Sequence, residues 1–418
     1  MKETVVLINP PLKPDWEYKE ESSSYPPMGI LYIGSLLRNN GYQVKIVDGA
    51  LEKNYIEMIK DVIDKGDVAF AGLSVMTAQI LPALKISEYV RQHNSSIKIV
   101  WGGIHPTLFP EHTLREELVD IVVIGEGEYT ALELAGTTLD PKNLSTVKGI
   151  AYKNREGKII FNESRELVDI NKTPPFQFDL INIEKYINKD LTSVGGKNLS
   201  GGYQRRSLPV LAGLGCPYRC TFCINAILKK KYRPKQADLI IQEVETLMKK
   251  YNANDFGMID EDFFVSKKRV EDFLNLIEEK KLRFSWHTST RANYFVDSYI
   301  NENFLHRLRR SGFFHFGLGA ESGSERILKL INKGITVKQV ENVAFLSKKC
   351  DVNVGFSFMC ALPGETEEES LQTINFCYRL IQINPKNYII GPQVFRPYPG
   401  SPLYDTAVQY GLPLLLIT

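Results

Sequence analysis

Apolar β-type runs alternate with amphipathic helical stretches along nearly all of this chain, in two successive series. Few folds accept such a pattern, because parallel strands need crossover helices and a sheet covered on both faces. In the first series strands are predicted over 4–9, 44–47, 68–74, 97–101 and 121–124, with helices over 29–40, 55–65, 78–93 and 128–134. They describe an α/β domain over 1–145, a Rossmann-like doubly wound parallel sheet. The second series predicts strands over 209–214, 255–259, 283–288, 314–318, 353–359 and 388–395. Its helices are expected over 237–251, 267–280, 298–311, 324–330, 336–350 and 366–384. Six βα units in a row describe a partial (β/α)6 barrel over 196–418, with its active site at the carboxyl ends of the strands. Residues 146–195 read as a linker holding a hairpin, 149–154 and 158–162, around Glu156-Gly157.

A length of 418 residues suits two domains, since single cores rarely grow past ~250–300 residues. The formal charge of +2 gives no reason to expect nucleic acid as a partner. No apolar run approaches the ~18 residues of a membrane span, and the apolar start is too short for a signal peptide. Six cysteines, three of them clustered, fit a reducing compartment better than a disulfide scaffold. The expectation is a soluble cytoplasmic protein.

The clustered cysteines are Cys216, Cys220 and Cys223, in the run Gly-Cys-Pro-Tyr-Arg-Cys-Thr-Phe-Cys directly after Ser207-Leu-Pro-Val-Leu-Ala-Gly-Leu. Thiolates this close on one loop can hold an iron–sulfur cluster, which normally takes four. With three, one iron stays open to an outside ligand, as catalytic zinc keeps an open position. A structural zinc site would pair a second Cys-x2-Cys knuckle or a His pair, and none is present: Cys350, Cys360 and Cys377 lie far off. Packing cysteines are a further alternative, against which stand the flanking Gly215, Pro217 and Arg219.

In the first domain a ligand is expected beyond the carboxyl ends of the strands. Those ends read Asn9-Pro10-Pro11, Asp48-Gly49, Ser74-Val-Met-Thr77, Gly102-Gly103-Ile-His105-Pro-Thr107 and Gly125-Glu126-Gly127-Glu128. Glycines there let a large planar or phosphate-bearing ligand approach the backbone. No Gly-x-Gly-x-x-Gly follows the first strand, which argues against a nicotinamide dinucleotide.

With these residues the second half resembles the radical S-adenosylmethionine (SAM) superfamily, down to the aromatic Phe222 before the last cysteine. The first half resembles that superfamily's cobalamin-binding branch, through Pro26-Pro-Met-Gly29-Ile and the glycine runs at 102 and 125. The resemblance implies a [4Fe–4S] cluster on Cys216, Cys220 and Cys223, with SAM chelating the fourth iron and being cleaved to a 5′-deoxyadenosyl radical. By the same resemblance Asp260 and Glu261 meet the SAM ammonium. Asp262 is either a further acceptor or only the cap of the next helix. Ser289 and Arg291 end the third strand, where Arg291 either pairs with the SAM carboxylate or is an ordinary surface arginine. Glu321 and Ser322 are placed at the ribose hydroxyls. The run Leu362-Pro-Gly-Glu365-Thr366 lies near the adenine, or serves only a turn and a helix start.

For cobalamin, the resemblance puts Ser74 to Thr77 at the lower face of cobalt, and Gly102, Gly103, Gly125 and Glu126 against the ligand. His105 either bonds the corrin periphery or nucleotide tail, or shapes its own turn. Where wider B12 proteins carry Asp-x-His-x-x-Gly, this chain reads Asp48-Gly-Ala-Leu-Glu-Lys, so cobalamin is expected base-off without a histidine ligand. The function implied is a cobalamin-dependent methyltransferase acting on an unactivated carbon. The alternatives are a cobalamin-dependent cyclase or rearrangement enzyme, and a corrinoid-binding or electron-transfer protein without radical chemistry. Expected partners are a small-molecule, lipid or natural-product substrate and a reductant such as flavodoxin or ferredoxin. Many members of the family continue beyond the equivalent of Tyr404–Thr418 with a segment over the substrate pocket, so the expectation here is a partner, an open mouth or a shortened chain.

Overall fold

The computed structural model describes residues 3–12, 25–137, 139–187, 205–229 and 231–412. The chain divides into two compact units between Tyr186 and Ile187. The expected boundary at 195/196, and the last six residues of the expected C-terminal segment, lie outside the described residues.

The first unit is built on a sheet of β1 (Thr4–Asn9), β2 (Gln43–Asp48), β3 (Val68–Ser74), β4 (Lys98–Gly102), β5 (Ile121–Val123), β6 (Ile150–Lys153) and β7 (Ile159–Phe161), in the order β2-β1-β3-β4-β5-β6-β7. The first five strands are parallel. Val5, Val6, Leu7 and Ile8 of the central strand are all buried, as a sheet covered on both faces requires. One covering layer is Tyr55–Ile63 with Ile80–His93, whose Ile59, Ile63, Ile86 and Val90 share a core with Ile8, Leu73, Ile99 and Trp101. Helices Met28–Asn39 and Glu128–Ala135 pack together as the other. The order reverses between β1 and β3, so Asn9 and Ser74 flank the crevice where such sheets bind ligands. The hairpin expected in a linker is the outer part of this sheet instead: β6 pairs antiparallel with β5, and β7 with β6. Two short helices after β4, Ile104–Leu108 and Pro110–Arg115, had no clear period because Pro106 and Pro110 interrupt it.

In the second unit β8 (Ser207–Leu211) is followed by two short strands, β9 (Gly213–Leu214) and β10 (Arg233–Pro234), which pair with each other. The remaining strands are β11 (Asp255–Ile259), β12 (Ser285–Thr290), β13 (Phe313–Glu321), β14 (Asn353–Cys360) and β15 (Tyr388–Val394). They form a six-stranded, wholly parallel sheet in sequence order, β8-β11-β12-β13-β14-β15. This is the partial (β/α)6 barrel, with a helix after each strand from β11 on through β14. The strand expected over 209–214 is broken at Ala212, because Gly213 turns away: a Cβ there would lie 2.3 Å from the Asp260 carboxylate. Thr366 caps helix Glu367–Ile383 in a reciprocal box with Glu369, so at that residue the helix-start reading holds.

Candidate active site

The cysteine loop leaves β9 at Gly215, whose φ of +77° suits glycine. Three backbone attachments fix it. Thr221 N–H donates to the Ile331 carbonyl at 3.0 Å, Leu403 N–H to the Thr221 carbonyl at 3.2 Å, and Asn332 Nδ2 to the Arg219 carbonyl at 3.0 Å. All three cysteines are free, with Cys220 buried and Cys216 and Cys223 half-buried. Burial pushes the Cys216 and Cys223 thiols up, so the bare loop holds them protonated. A coordinating metal removes such protons outright. Among the described residues no three His, Cys, Asp or Glu side chains converge on a point that could hold a single ion.

Beside the loop stands a buried polar chain. Arg291 directs Nη1 at Cys220 Sγ (3.7 Å), Nε at Asn293 Oδ1 (3.2 Å) and Nη2 at the Lys333 carbonyl, while its guanidinium carbon sits 3.7 Å from the Tyr218 ring centre. Asn293 Nδ2 donates to the Tyr218 hydroxyl at 3.0 Å, Tyr218 donates to Tyr294 at 3.0 Å, and Tyr294 donates to Asp262 Oδ2 at 2.8 Å. Asp262 is fully buried, and its other oxygen, Oδ1, has no hydrogen-bond partner. Burial pushes its carboxyl up to about 7, against the pull of the Tyr294 bond and the Arg291 charge. An orphaned buried carboxylate oxygen at the carboxyl end of a barrel strand is a natural receptor for an ammonium group. Asp262 stands at the N-cap position of the short helix Phe263–Val265, without a side-chain capping bond of good geometry.

The other expected SAM residues differ in what they have left to offer. Asp260 is taken up inside the protein: Oδ2 accepts from Arg269 Nη2 (3.0 Å) and Tyr232 (3.2 Å), and Oδ1 from Asp262 N–H (3.0 Å). Glu261 is exposed at the same turn, and Ser289 is exposed on β12. A Cβ on neighbouring Gly317 would meet only Ser289, so that stretch of the sheet has room above it. Arg291 is no surface arginine, and its fork is already committed. Glu321, at a φ of +65°, pairs with Lys333 Nζ at 2.8 Å, both side chains buried, and Lys333 Nζ lies 5.8 Å from the Phe222 ring centre. Ser322 Oγ is spent on Thr373 and on Ser324 N–H, within the helix packing rather than at an open edge. Sequence reasoning missed Tyr218, Asn293, Tyr294 and Lys333, which join the site only through the fold. A groove of about 550 Å³ runs along helix Lys267–Glu279 beside the start of helix Ala237–Tyr251, and no residue of the cysteine loop lines it.

In the first unit the strand ends form one polar cluster. Asn9 Nδ2 donates to Asp48 Oδ1 (2.7 Å), Gln79 Nε2 to Asn9 Oδ1 (3.1 Å), and Tyr186 to Asp48 Oδ2. Gly49 packs on Pro11, 2.9 Å from where its Cβ would lie, so the turn after β2 is closed and carries no histidine. At the tip of β3, Met76, Thr77 and Ala78 are exposed, and Ser74 is partly so. Gly125, with a φ of +86°, is exposed, and a Cβ on it would meet nothing within 4 Å. An exposed, partly apolar tip beside open space fits a large flat ligand. Gly102 also has only ordinary contact around it, whereas Gly103 is demanded by the protein, its Cβ position lying 2.9 Å from Val75 N. His105 is buried, with Nδ1 3.2 Å from Thr77 Oγ1 and its N–H on the Val75 carbonyl, which is the turn-shaping arrangement. Thr107 bonds Gly103 O and Gly125 N–H, tying the two glycine turns together, and Glu126 accepts from Val168 N–H at 2.8 Å.

The sequence profile of the Radical SAM superfamily matches residues 210–377, and that of the B12 binding domain residues 22–135. An uncharacterised methyltransferase of Pyrococcus horikoshii is 30% identical over 415 residues, which is 99% of this chain and 84% of that protein. The anaerobic magnesium-protoporphyrin IX monomethyl ester cyclase of Rubrivivax gelatinosus is 26% identical over 92% of this chain and 67% of its own. Among solved structures, the cobalamin-dependent S-adenosylmethionine radical enzyme OxsB with aqua-cobalamin and S-adenosylmethionine bound matches 98% of this chain at a TM-score of 0.76 and 19% identity. The chain spans 60% of the OxsB chain, and the likeness is one of fold.

The chain belongs to the cobalamin-binding radical SAM family. Its two domains imply a [4Fe–4S] cluster, SAM and cobalamin as the cofactors of a radical SAM enzyme. Among the described residues no helix is long and apolar enough to cross a membrane.

Proposed function

We propose that this protein is a cobalamin-dependent radical SAM methyltransferase that alkylates an unactivated carbon of a small-molecule, lipid or natural-product substrate. When bound, the cluster and cobalamin would respectively supply the electron that splits SAM into methionine and a 5′-deoxyadenosyl radical, and the methyl group taken up by the substrate. The observation that carries the radical part is the juxtaposition at the barrel strand ends of three free cysteines with Asp262, a buried carboxylate with one unpartnered oxygen. Support for methyl transfer is the likeness to the P. horikoshii methyltransferase over 99% of this chain.

Each residue's part follows from its surroundings. Cys216, Cys220 and Cys223 hold iron, and Thr221, pinned to Ile331, keeps their loop from spreading. Asp262 Oδ1 receives the SAM ammonium, and that cation holds the carboxyl ionised against the burial that otherwise protonates it. Ser289 and Gly317 leave space on the sheet for the adenosyl group. In the first unit Ser74 to Thr77 and Gly125 would hold the cobalamin. The run Asp48-Gly-Ala-Leu-Glu-Lys after β2 holds no histidine, which favours the base-off state. An external low-potential donor such as flavodoxin or ferredoxin supplies the electron.

The likeness to the R. gelatinosus cyclase favours a second reading, the same cofactors used for cyclisation without methyl transfer. Anaerobic reconstitution with iron, sulfide and hydroxocobalamin, followed by gel filtration and spectroscopy, tests both. A cluster signal absent from the Cys216→Ala, Cys220→Ala, Cys223→Ala triple variant, with cobalamin retained equally, supports the two-cofactor protein. Incubation with methyl-deuterated SAM and candidate substrates then separates the readings: label in the product means methyl transfer, and 5′-deoxyadenosine with unlabelled product means cyclisation. A cluster without cobalamin sinks both.

A further inference from the structure

Arg291 carries a buried positive charge that no carboxylate meets in an ion pair, Asp262 feeling it only at longer range. Its three donor groups reach the Asn293 amide oxygen, the Lys333 carbonyl and the Cys220 sulfur, and its face lies on the Tyr218 ring. Among the described residues no carboxylate stands within ion-pair distance of it, although only 6% of the residue is exposed. The neighbouring cation, Lys333, differs in being paired with Glu321 at 2.8 Å. A buried guanidinium without an anion is costly, and it does not relieve that cost by losing its proton. Of the groups its donors touch, the Cys220 sulfur is the one able to bear negative charge.

We infer that Arg291 tunes the reduction potential of the cluster through Cys220 and does not receive the SAM carboxylate. The inference rests on the proposed assignment of Cys216, Cys220 and Cys223 as cluster ligands. One-electron reduction, from an external low-potential donor, adds one negative charge to the cysteine-held group. A fixed cation and an N–H donor at one ligand sulfur stabilise the reduced state more than the oxidised one and so raise the potential. Low solvent access strengthens the effect, since exposed charges would be screened. Asn293 and Tyr218 hold the fork on the sulfur: Asn293 bonds both the Arg291 Nε and the Tyr218 hydroxyl.

The test compares wild type, Arg291→Gln and Arg291→Lys after anaerobic reconstitution. Iron and sulfide are counted, the potential is titrated by electron paramagnetic resonance, and SAM affinity is measured separately by equilibrium dialysis. The expected result is equal iron in all three proteins and SAM affinity within twofold. Arg291→Gln should be about tenfold harder to reduce, ~59 mV lower for a one-electron couple, with Arg291→Lys between it and wild type. An unchanged potential with a large loss of SAM affinity in Arg291→Gln overturns the inference and returns Arg291 to the SAM carboxylate. Loss of iron from both variants at unchanged thermal stability also overturns it, since Arg291 would then be a strut for the loop. Absence of iron from wild type itself is a different failure, that of the cluster assignment.

Discussion

Tyr294 donates its hydroxyl to one oxygen of Asp262 at 2.8 Å and leaves the other without a partner in a fully buried position. The carboxyl is pushed up to about 7 by that burial, in an environment of Tyr294, Arg291 and Asp260. The native state therefore binds a proton that the unfolded chain releases between its own pKa and 7, and stability falls as pH rises through that interval. It levels off above 7. A displacement of about three units corresponds to ~4 kcal/mol at most. Denaturant midpoints from pH 5 to 7.5 should fall more steeply for wild type than for Asp262→Asn. Parallel slopes would remove Asp262 as the source.

Lys333 and Glu321 make a prediction of a different kind. Both side chains are 9% exposed and their charges meet at 2.8 Å, so removing one strands the other. Lys333→Met should cost about 3–5 kcal/mol. Lys268 and Asp272 meet at a similar 2.7 Å, yet Lys268 is 84% exposed, and Lys268→Ala should leave stability almost unchanged. Thermal unfolding of the two variants checks the contrast, and equal losses would contradict it.

How much of this could be read from residues alone depended on range. Strand β1 was legible because Val5 to Ile8 form an unbroken apolar run between polar neighbours, and its observed bounds are those expected. The cysteine loop was legible because its ligands are local. The 150–161 hairpin was recognised as a hairpin but not as part of the sheet, since pairing with Ile121 to Val123 leaves no trace in its own period. The chain from Arg291 through Tyr218 and Tyr294 to Asp262 joins residues far apart in sequence, so no spacing announces it. Asp260 and Asp262 look alike in the sequence. Arg269, nine residues on, claims the first and leaves the second open.

His105 should make the first unit sensitive to acid. Burial and the nearby His112 hold its imidazole down at about 4, with Thr77 and Phe109 as its other neighbours. The unfolded chain takes up a proton near 6.5 that the native state refuses until about 4. Stability is thus full above the unfolded value and is lost as pH falls through that window, by ~3 kcal/mol at most. Proton NMR should find His105 still neutral at pH 5.5. A His105 already charged at pH 5.5 would refute the account.

Gly103 and Gly125 both sit at positive φ, +96° and +86°, and they should separate architecture from ligand binding. At Gly103 an added methyl would lie 2.9 Å from Val75 N and 3.0 Å from Val75 O, backbone atoms that cannot swing aside. With its ψ at −166°, Gly103 lies in a region that essentially only glycine adopts, so Gly103→Ala adds the clash to a backbone strain of ~1–3 kcal/mol and should lower the melting temperature of the cofactor-free protein sharply. At Gly125 the methyl meets no protein atom, so Gly125→Ala should show the conformational cost alone. Its larger effect should fall on cobalamin, because the methyl occupies the space into which the proposed ligand comes. Cobalamin retention after gel filtration, read beside the melting temperature, distinguishes the two sites. A Gly125→Ala protein that binds cobalamin as tightly as wild type would show that the corrin lies elsewhere on the strand ends.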